Sequence, residues 1–401
     1  MYILSSSTKY LLDLLSGSTN VIFAGSVARK LSSAATFAYT AGQKGSGSSL
    51  AKILFSGGLA DTSILTTLAA GQTSGQQSTG LVILNDQSGN ANYMGRPTFS
   101  HYCPLTTPGG VINAPTIVSG GTPVPTFSTG YNGLQTAISG PYLTSGSWDG
   151  VTNTDLIQGD MAVSFGAVDT FWAYDVIRLN GPATTTATTG SGVDLEFEIT
   201  AQGGPITAYS IYDAGGGYSL GDTGSLNVTF GAASYTVTSV GAGGSVTGAS
   251  VSGTDCNTMI AGTDLGRASS FTHTGDTTDN QTTTSACLIL RNTAAVGYAQ
   301  SSVDGGLGAG GIVPLNKLIL LGSIFDGTHI NFRLNGVPFA TVNYSGTLGS
   351  GGVYALGEIA NVGPFGSNPL NADRVEHLCG TTLKKSDMMI IEANIRAFYG
   401  I

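Results

Sequence analysis

From about residue 80 the chain is cut into short apolar or alternating runs by Gly, Pro, Asn and Asp, as in "MAVSFGAV", "FWAYDVIRL", "ACLILRN", "KLILLGSIFDG", "HINFRLNGVPFATVNY" and "VYALGEIAN". Runs this short, rich in Val, Ile, Tyr and Phe and bounded by turn formers, read as strands. In "INFRLNGVPFATV" the Asn335-Gly336 pair stands between two alternating runs. That is the strongest short-range hairpin signal, because both residues accept the positive φ of a tight primed turn. The pattern predicts an all-β, multi-stranded antiparallel architecture.

Helix-like spacing is confined to three places. "STKYLLDLLSG" and "SGGLADTSILTTLAAG" near the start predict accessory helices. At the end, "SDMMIIEANIRAFYGI" places Met388, Ile391, Ile395 and Phe398 on one face after Ser386, with Glu392 and Arg396 four residues apart. This predicts an amphipathic helix, started by Ser386, lying on the sheets. Between Asn180 and Gly253 the texture changes. After the low-complexity "PATTTATTGSG", two units each show an alternating strand, a Gly-Gly turn and another alternating strand. Residues 181–254 are therefore expected to form an inserted Gly-rich β module, with 1–180 and 255–401 as the two parts of one larger domain.

Charge narrows the partners. Net charge is −9 and only 10% of the 401 residues are charged, with no Lys/Arg cluster. Phosphate neutralisation needs a basic face, so nucleic acid is disfavoured, and anionic membrane surfaces with it. The start lacks a basic segment followed by a sustained apolar run, and no run reaches transmembrane length, so neither a secretion signal nor a membrane span is expected. Cys103, Cys256, Cys287 and Cys379 show no metal-type spacing and read as buried thiols, with a pairing between two of them left open. His101, His273, His329 and His377 show no pairing with Cys or Asp suited to metal or nucleophilic catalysis. Neither a metal nor another cofactor is expected.

The densest polar cluster follows an apolar run in "TGLVILNDQSGNANYMGRP", residues 79–97. Asn and Asp bond their own backbone two residues on, so a self-satisfied turn is the favoured reading. The alternative is a sugar or Ca²⁺ site, for which Asp86, Gln87, Asn90 and Asn92 supply planar donors and acceptors or hard oxygens. Tyr142 and Trp148 in "GPYLTSGSWDG" are candidate stacking platforms for a sugar ring, whereas Trp172 alternates like a core residue.

The series "LLDLLSG", "ARKLSSA", "FSGGLADTSILTTL", "LVILNDQSGNANY" and "GSNPLNADRVEHLCGTTLKKSDMMIIEANIRAFYGI" resembles the concanavalin A-like (laminin G/arabinofuranosidase B-like) domains related to the catalytic domain of α-L-arabinofuranosidase B. Similar domains recur in bacteriophage virion proteins. The resemblance covers residues 9–100 and 285–401. "GGGYSLGD" at 215–222 resembles the "GGxGYxxGD" modules of phage tail and particle proteins. Together these imply a two-sheet jelly-roll sandwich with accessory helices and a phage-like insert.

In the resembling enzymes hydrolysis rests on a Glu nucleophile and an Asp acid. The corresponding stretch here, "SACLILRNTAAVG", carries no acidic residue, and Asn361 stands at the acid's place with Glu358 nearby. An amide cannot protonate a leaving group. The resemblance with these departures leads to the expectation of a non-enzymatic virion protein: a fibre, tail tip or head appendage that presents a glycan-binding surface. A homotrimer or larger ring, in contact with other virion proteins, is expected because exposed strand edges need cover. The alternatives are a glycoside hydrolase of arabinofuranosidase type and a purely architectural capsid or tail protein.

Overall fold

The computed structural model describes residues 9–43, 50–70, 79–90, 94–95, 103–104, 127–128, 134–136, 141–143, 158–160, 170–179, 183–200, 202–204, 206, 208–226, 232–254, 256–257, 265–271, 286–293, 296–303, 306–314, 318–343, 354–356 and 372–401.

Two antiparallel sheets dominate. The first runs Asn20–Ser26, Ala372–Thr382, Phe171–Leu179, Leu318–Phe325, His329–Leu334, Val337–Asn343 in spatial order, so its centre joins the middle of the chain to its end. The second is twelve-stranded. It contains Phe37–Gln43, Leu50–Ser56 and Thr79–Leu84 toward one edge and Leu265–Phe271, Ala286–Thr293, Val296–Val303 and Gly306–Val313 toward the other. Phe23, Tyr39, Leu81, Leu84, Ile177 and Ile319 belong to one buried cluster drawn from both sheets. Their near-complete removal from water is the main favourable term in folding.

Local signals resolve as the residues dictate. Asn335 and Gly336 take φ of 50° and 79°, turning His329–Leu334 into Val337–Asn343. Asn335 also exchanges hydrogen bonds with Leu320: its N–H reaches Leu320 O at 2.8 Å, and its Oδ1 accepts from Leu320 N–H at 2.8 Å. Trp172 is fully buried and lies against Gly380 of the neighbouring strand, where a Cβ would fall 2.7 Å from the indole and 1.8 Å from Asn20 O. Only glycine fits there.

The helices depart from expectation in detail. The first is a single 3-10 turn, Leu11–Leu14, ended by Leu15 in extended conformation, with the otherwise unpaired Leu12 N–H donating to Leu31 O at 2.8 Å. Ser63–Ala70 is helical, with Asp61 accepting from Ser63 N–H at 3.1 Å at its start. The C-terminal helix, Lys385–Tyr399, begins after Lys384, and Ser386 does not cap it. Asp387 in its first turn accepts instead from Ser16 N–H (3.1 Å), Ser16 Oγ (2.5 Å) and Thr19 Oγ1, tying the helix start to the chain's beginning. These bonds outweigh the upward push of burial and hold the Asp387 carboxyl below its usual range. The buried stripe is Asp387, Ile391, Glu392, Ile395 and Tyr399. Gly400, at φ 71°, closes the helix.

A separate six-stranded sheet runs Ala208–Gly216, Val193–Thr200, Ala183–Ala187, Thr223–Leu226, Ala232–Val240, Val246–Thr254. It has its own apolar cluster around Leu195, Phe197, Tyr218, Tyr235 and Val237. Its first and last strands meet where Tyr209 OH donates to Ala249 O at 3.0 Å. No helix among the described residues is long and apolar enough to cross a membrane.

Candidate functional site

The turn after Thr79–Leu84 directs its polar groups inward. Asn85 Nδ2 donates to Phe37 O at 3.0 Å. The Asp86 carboxylate accepts from Ala24 N–H (3.0 Å), Ser88 N–H (2.9 Å) and Ser88 Oγ (2.8 Å). Gln87 Oε1 accepts from Leu31 N–H at 2.7 Å, and its Nε2 donates to Arg29 O at 3.3 Å. Asn90 Nδ2 donates to Val21 O at 2.6 Å. The turn is thus partly self-satisfied and partly a staple between the sheets, joining the end of a second-sheet strand to the first-sheet strand Asn20–Ser26 and the segment after it. Asp86 and Gln87 are buried and Asn90 is exposed. Tyr142 lies in the strand Pro141–Leu143, opposite Gly159, while Asn92 and Trp148 are outside the described residues.

A second polar group lies beside this staple. Asp175 Oδ1 and His377 Nδ1, on adjacent strands, are 2.8 Å apart and both residues are buried, with the Phe23 ring centroid 6.1 Å from the imidazole. Cys379, two residues along the same strand face, is a buried free thiol. Burial pushes its pKa well up, and the negative charges of Asp86 and Asp175 push it further. The thiol is therefore inert as a nucleophile. The sequence did not announce this pair: strand register brings together two residues 202 positions apart. His329 also neighbours an acid, Asp326, at 3.6 Å. Burial raises the Asp326 pKa, but donors from Thr328, His329 and Asn331 outweigh it and hold it at about 2.

On the opposite face of the same sheet two carboxylates are held by arginines. Glu376 receives Arg29 Nε and Nη2, both at 2.8 Å, and Tyr399 OH at 2.8 Å. Arg29 Nη1 donates to Asn394 Oδ1 at 2.7 Å, and the guanidinium sits 4.4 Å from the Phe398 ring centroid. Glu392 accepts from Arg333 Nη2 at 3.0 Å and Tyr174 OH at 2.8 Å. The i,i+4 pairing of Glu392 with Arg396 does not form: Arg333 takes the carboxylate, and Arg396 Nε donates to Ile401 O at 3.1 Å. Carboxylates fixed in this way hold the C-terminal helix on the sheet. For Glu376 the sequence carried one signal, a charged residue inside an apolar strand.

A glycosidase needs two carboxylates about 5 to 9.5 Å apart across the sugar. The strand Ala286–Thr293 carries none, and Glu358 and Asn361 lie outside the described residues. Among the described residues no group of three or more His, Cys, Asp or Glu could hold a metal.

No protein-family model matches the sequence, and no curated protein matches it. Solved structures do. A mutant GH54 α-L-arabinofuranosidase soaked with 4-nitrophenyl α-L-arabinofuranoside aligns over 95% of this chain and 63% of its own, at 12% identity and a TM-score of 0.51. The fold is a concanavalin A-like sandwich. An arabinofuranosidase complexed with arabinofuranosyl-α-1,2-xylobiose aligns over the same shares at 12% identity, with a TM-score of 0.48. The chain thus spans 63% of the length of the arabinofuranosidases it matches. The expectation of a non-enzyme is corrected here: the solved structure that this fold matches at a TM-score of 0.51 is itself an arabinofuranosidase, at 12% identity. That expectation rested on which residue aligns with a catalytic position. At 12% identity the alignment does not fix that position, so an acid missing from "SACLILRNTAAVG" does not exclude the chemistry.

Proposed function

We propose that this chain is a glycoside hydrolase of arabinofuranosidase type. The observation that carries the proposal is the likeness over 95% of the chain to a GH54 α-L-arabinofuranosidase. The described carboxylates narrow where the chemistry would sit. Of the five glutamates, Glu376 and Glu392 are held by arginines, and Glu196 and Glu198 belong to the strand Val193–Thr200 of the separate small sheet. Glu358 is left as the glutamate we assign to the reaction, as nucleophile or as proton donor opposite an aspartate. The test is release of 4-nitrophenol from 4-nitrophenyl α-L-arabinofuranoside by the purified chain. Release abolished by Glu358→Gln supports the reading, and no release above blank from the wild type counts against it.

The proposal extends to a setting: a phage particle carrying the enzyme as a homotrimer or larger ring, where it would trim a host-surface glycan. Its support is the sequence likeness of residues 215–222 to phage tail modules. Sedimentation at micromolar concentration showing a monomer, alone and with the other particle proteins, would contradict it.

A further inference from the structure

The small sheet of residues 183–254 has two unlike ends. The chain enters at Ala183, opposite Phe197, and leaves at Thr254, opposite Ala232. The far end, where Val193 faces Gly216 and Val240 faces Val246, is built from the turns 188–192, 217–222 and 241–245. These turns are locked together. Gly217 N–H donates to Gly243 O and Tyr218 N–H to Gly244 O, both at 3.0 Å, and Gly221 N–H donates to Val237 O at 3.0 Å. Thr188 N–H donates to Thr223 O at 2.8 Å. Two glycines permit so close an approach: a Cβ at Gly190 would collide with the Asp222 carboxylate, and one at Gly192 with the Tyr218 ring.

This tip buries Tyr218 and Asp222 yet leaves apolar side chains in water. Leu220 is 70% exposed, Val193 59% and Val240 38%. Single exposed apolar residues are ordinary, but three at one end of a small rigid unit, away from where it joins the rest of the chain, mark an interaction surface. Charge is one-sided as well. Residues 183–254 carry five acids, Asp194, Glu196, Glu198, Asp213 and Asp222, and no Lys, Arg or His. Asp194 follows Val193 directly and is exposed, held at φ 61° in the left-handed region that side chains disfavour. Asp213, also exposed, faces Glu196 a few residues farther in. Burial, and then the charges of Asp213 and Asp194, push the Glu196 carboxyl above its ordinary range, so these acids share one negative field.

We infer that this tip docks a protein surface with an apolar centre and a rim of Lys or Arg. Leu220, Val193 and Val240 supply the part of the contact that excludes water, and the acids beside Val193 select the sign of the rim. The same charge disfavours the other occupants. A second copy of this chain brings a like-charged tip, nucleic acid and anionic lipid are themselves anions, and a neutral polysaccharide offers no cation to the acids. The inference is independent of the proposed turnover, because Glu358 lies outside residues 183–254.

The experiment titrates the full chain into three fluorescein-labelled synthetic peptides, an amphipathic helix of Leu and Lys, its Leu/Glu counterpart and oligolysine, and reads fluorescence anisotropy at low and high salt. The Leu/Lys peptide is expected to bind, more weakly at high salt, and the other two at least about tenfold less tightly. Val193→Ser/Leu220→Ser should weaken the Leu/Lys complex about tenfold by removing apolar contact area. Val337→Ser, at a site 60% exposed outside the small sheet, should leave it unchanged. Asp194→Gly, which suits the positive φ, gives a second reading if the serine pair fails to fold: it should reduce the salt dependence. Absence of binding by the wild type, oligolysine or the Leu/Glu peptide bound as tightly as Leu/Lys, or variants that bind like the wild type would each overturn the inference. A wild-type dimer in sedimentation that either variant abolishes would also overturn it, by making the occupant a second copy.

Discussion

Removing the Glu376 carboxylate should destabilise the sandwich far more than an ordinary charge deletion. Glu376 accepts two hydrogen bonds from Arg29 and one from Tyr399, all at 2.8 Å, and both members of the ion pair are buried. Burial works against the Arg29 charge, and Glu376 with Tyr399 reverses that, leaving the guanidinium pKa above its ordinary value. In Glu376→Ala the cation stays buried with Asn394 and the Phe398 ring as its described partners, and breaking a buried pair in this way costs about 3 to 5 kcal/mol. Replacing both partners with apolar groups, Arg29→Met/Glu376→Leu, should cost much less, since neither leaves a charge behind. Urea unfolding followed by the fluorescence of buried Trp172, in a Trp148→Phe background, measures both. A loss below about 1 kcal/mol for Glu376→Ala, the level of an exposed pair, would refute the reasoning.

Asp86→Ala removes the acceptor for Ala24 N–H, Ser88 N–H and Ser88 Oγ and should cost about 1 to 3 kcal/mol by the same unfolding assay; a change under about 0.5 kcal/mol would mean that the staple between the sheets is dispensable. We propose that residues 181–254 are an insertion, so joining 180 to 255 through a Gly/Ser linker should leave circular dichroism per residue nearly unchanged, and aggregation of the deletion would count against it. The Asp387 carboxyl is held below its unfolded value, so its contribution is present above the unfolded pKa of about 3.9 and is lost as pH falls through the folded value. Asp387→Asn should therefore lower the urea midpoint more at pH 6 than at pH 2, and an equal deficit at both pH values would contradict that linkage.

What could be read from the sequence was what neighbours in sequence determine. Asn335-Gly336 turns a hairpin because its φ values are a local property, and Trp172 is buried because its strand alternates. The Asp86–Ser88 contacts were readable for the same reason. The remaining bonds of that turn reach Val21, Ala24, Arg29, Leu31 and Phe37, 48 to 69 residues away, and nothing local announces them. The buried pairs were hidden still more deeply: Arg29 and Glu376 are 347 positions apart, and only the register of Ala372–Thr382 beside Asn20–Ser26 brings them close. The C-terminal helix shows local preference losing to tertiary contact, since Glu392 has Arg396 at helical spacing and pairs with Arg333 of the hairpin instead. The inference against catalysis had a related weakness. It read single residues at aligned positions, whereas a β-sandwich assembles a site from strands that are distant in sequence.

Turnover of 4-nitrophenyl α-L-arabinofuranoside by the purified chain, measured beside its Glu358→Gln variant, is the observation on which the proposed activity stands. We expect 4-nitrophenol release well above blank from the wild type and near-blank release from a Glu358→Gln protein whose circular dichroism and melting match the wild type. Release that is unchanged in the variant would move the chemistry to another carboxylate, and no release from a folded wild type across pH 4 to 8 would contradict the glycoside hydrolase reading itself.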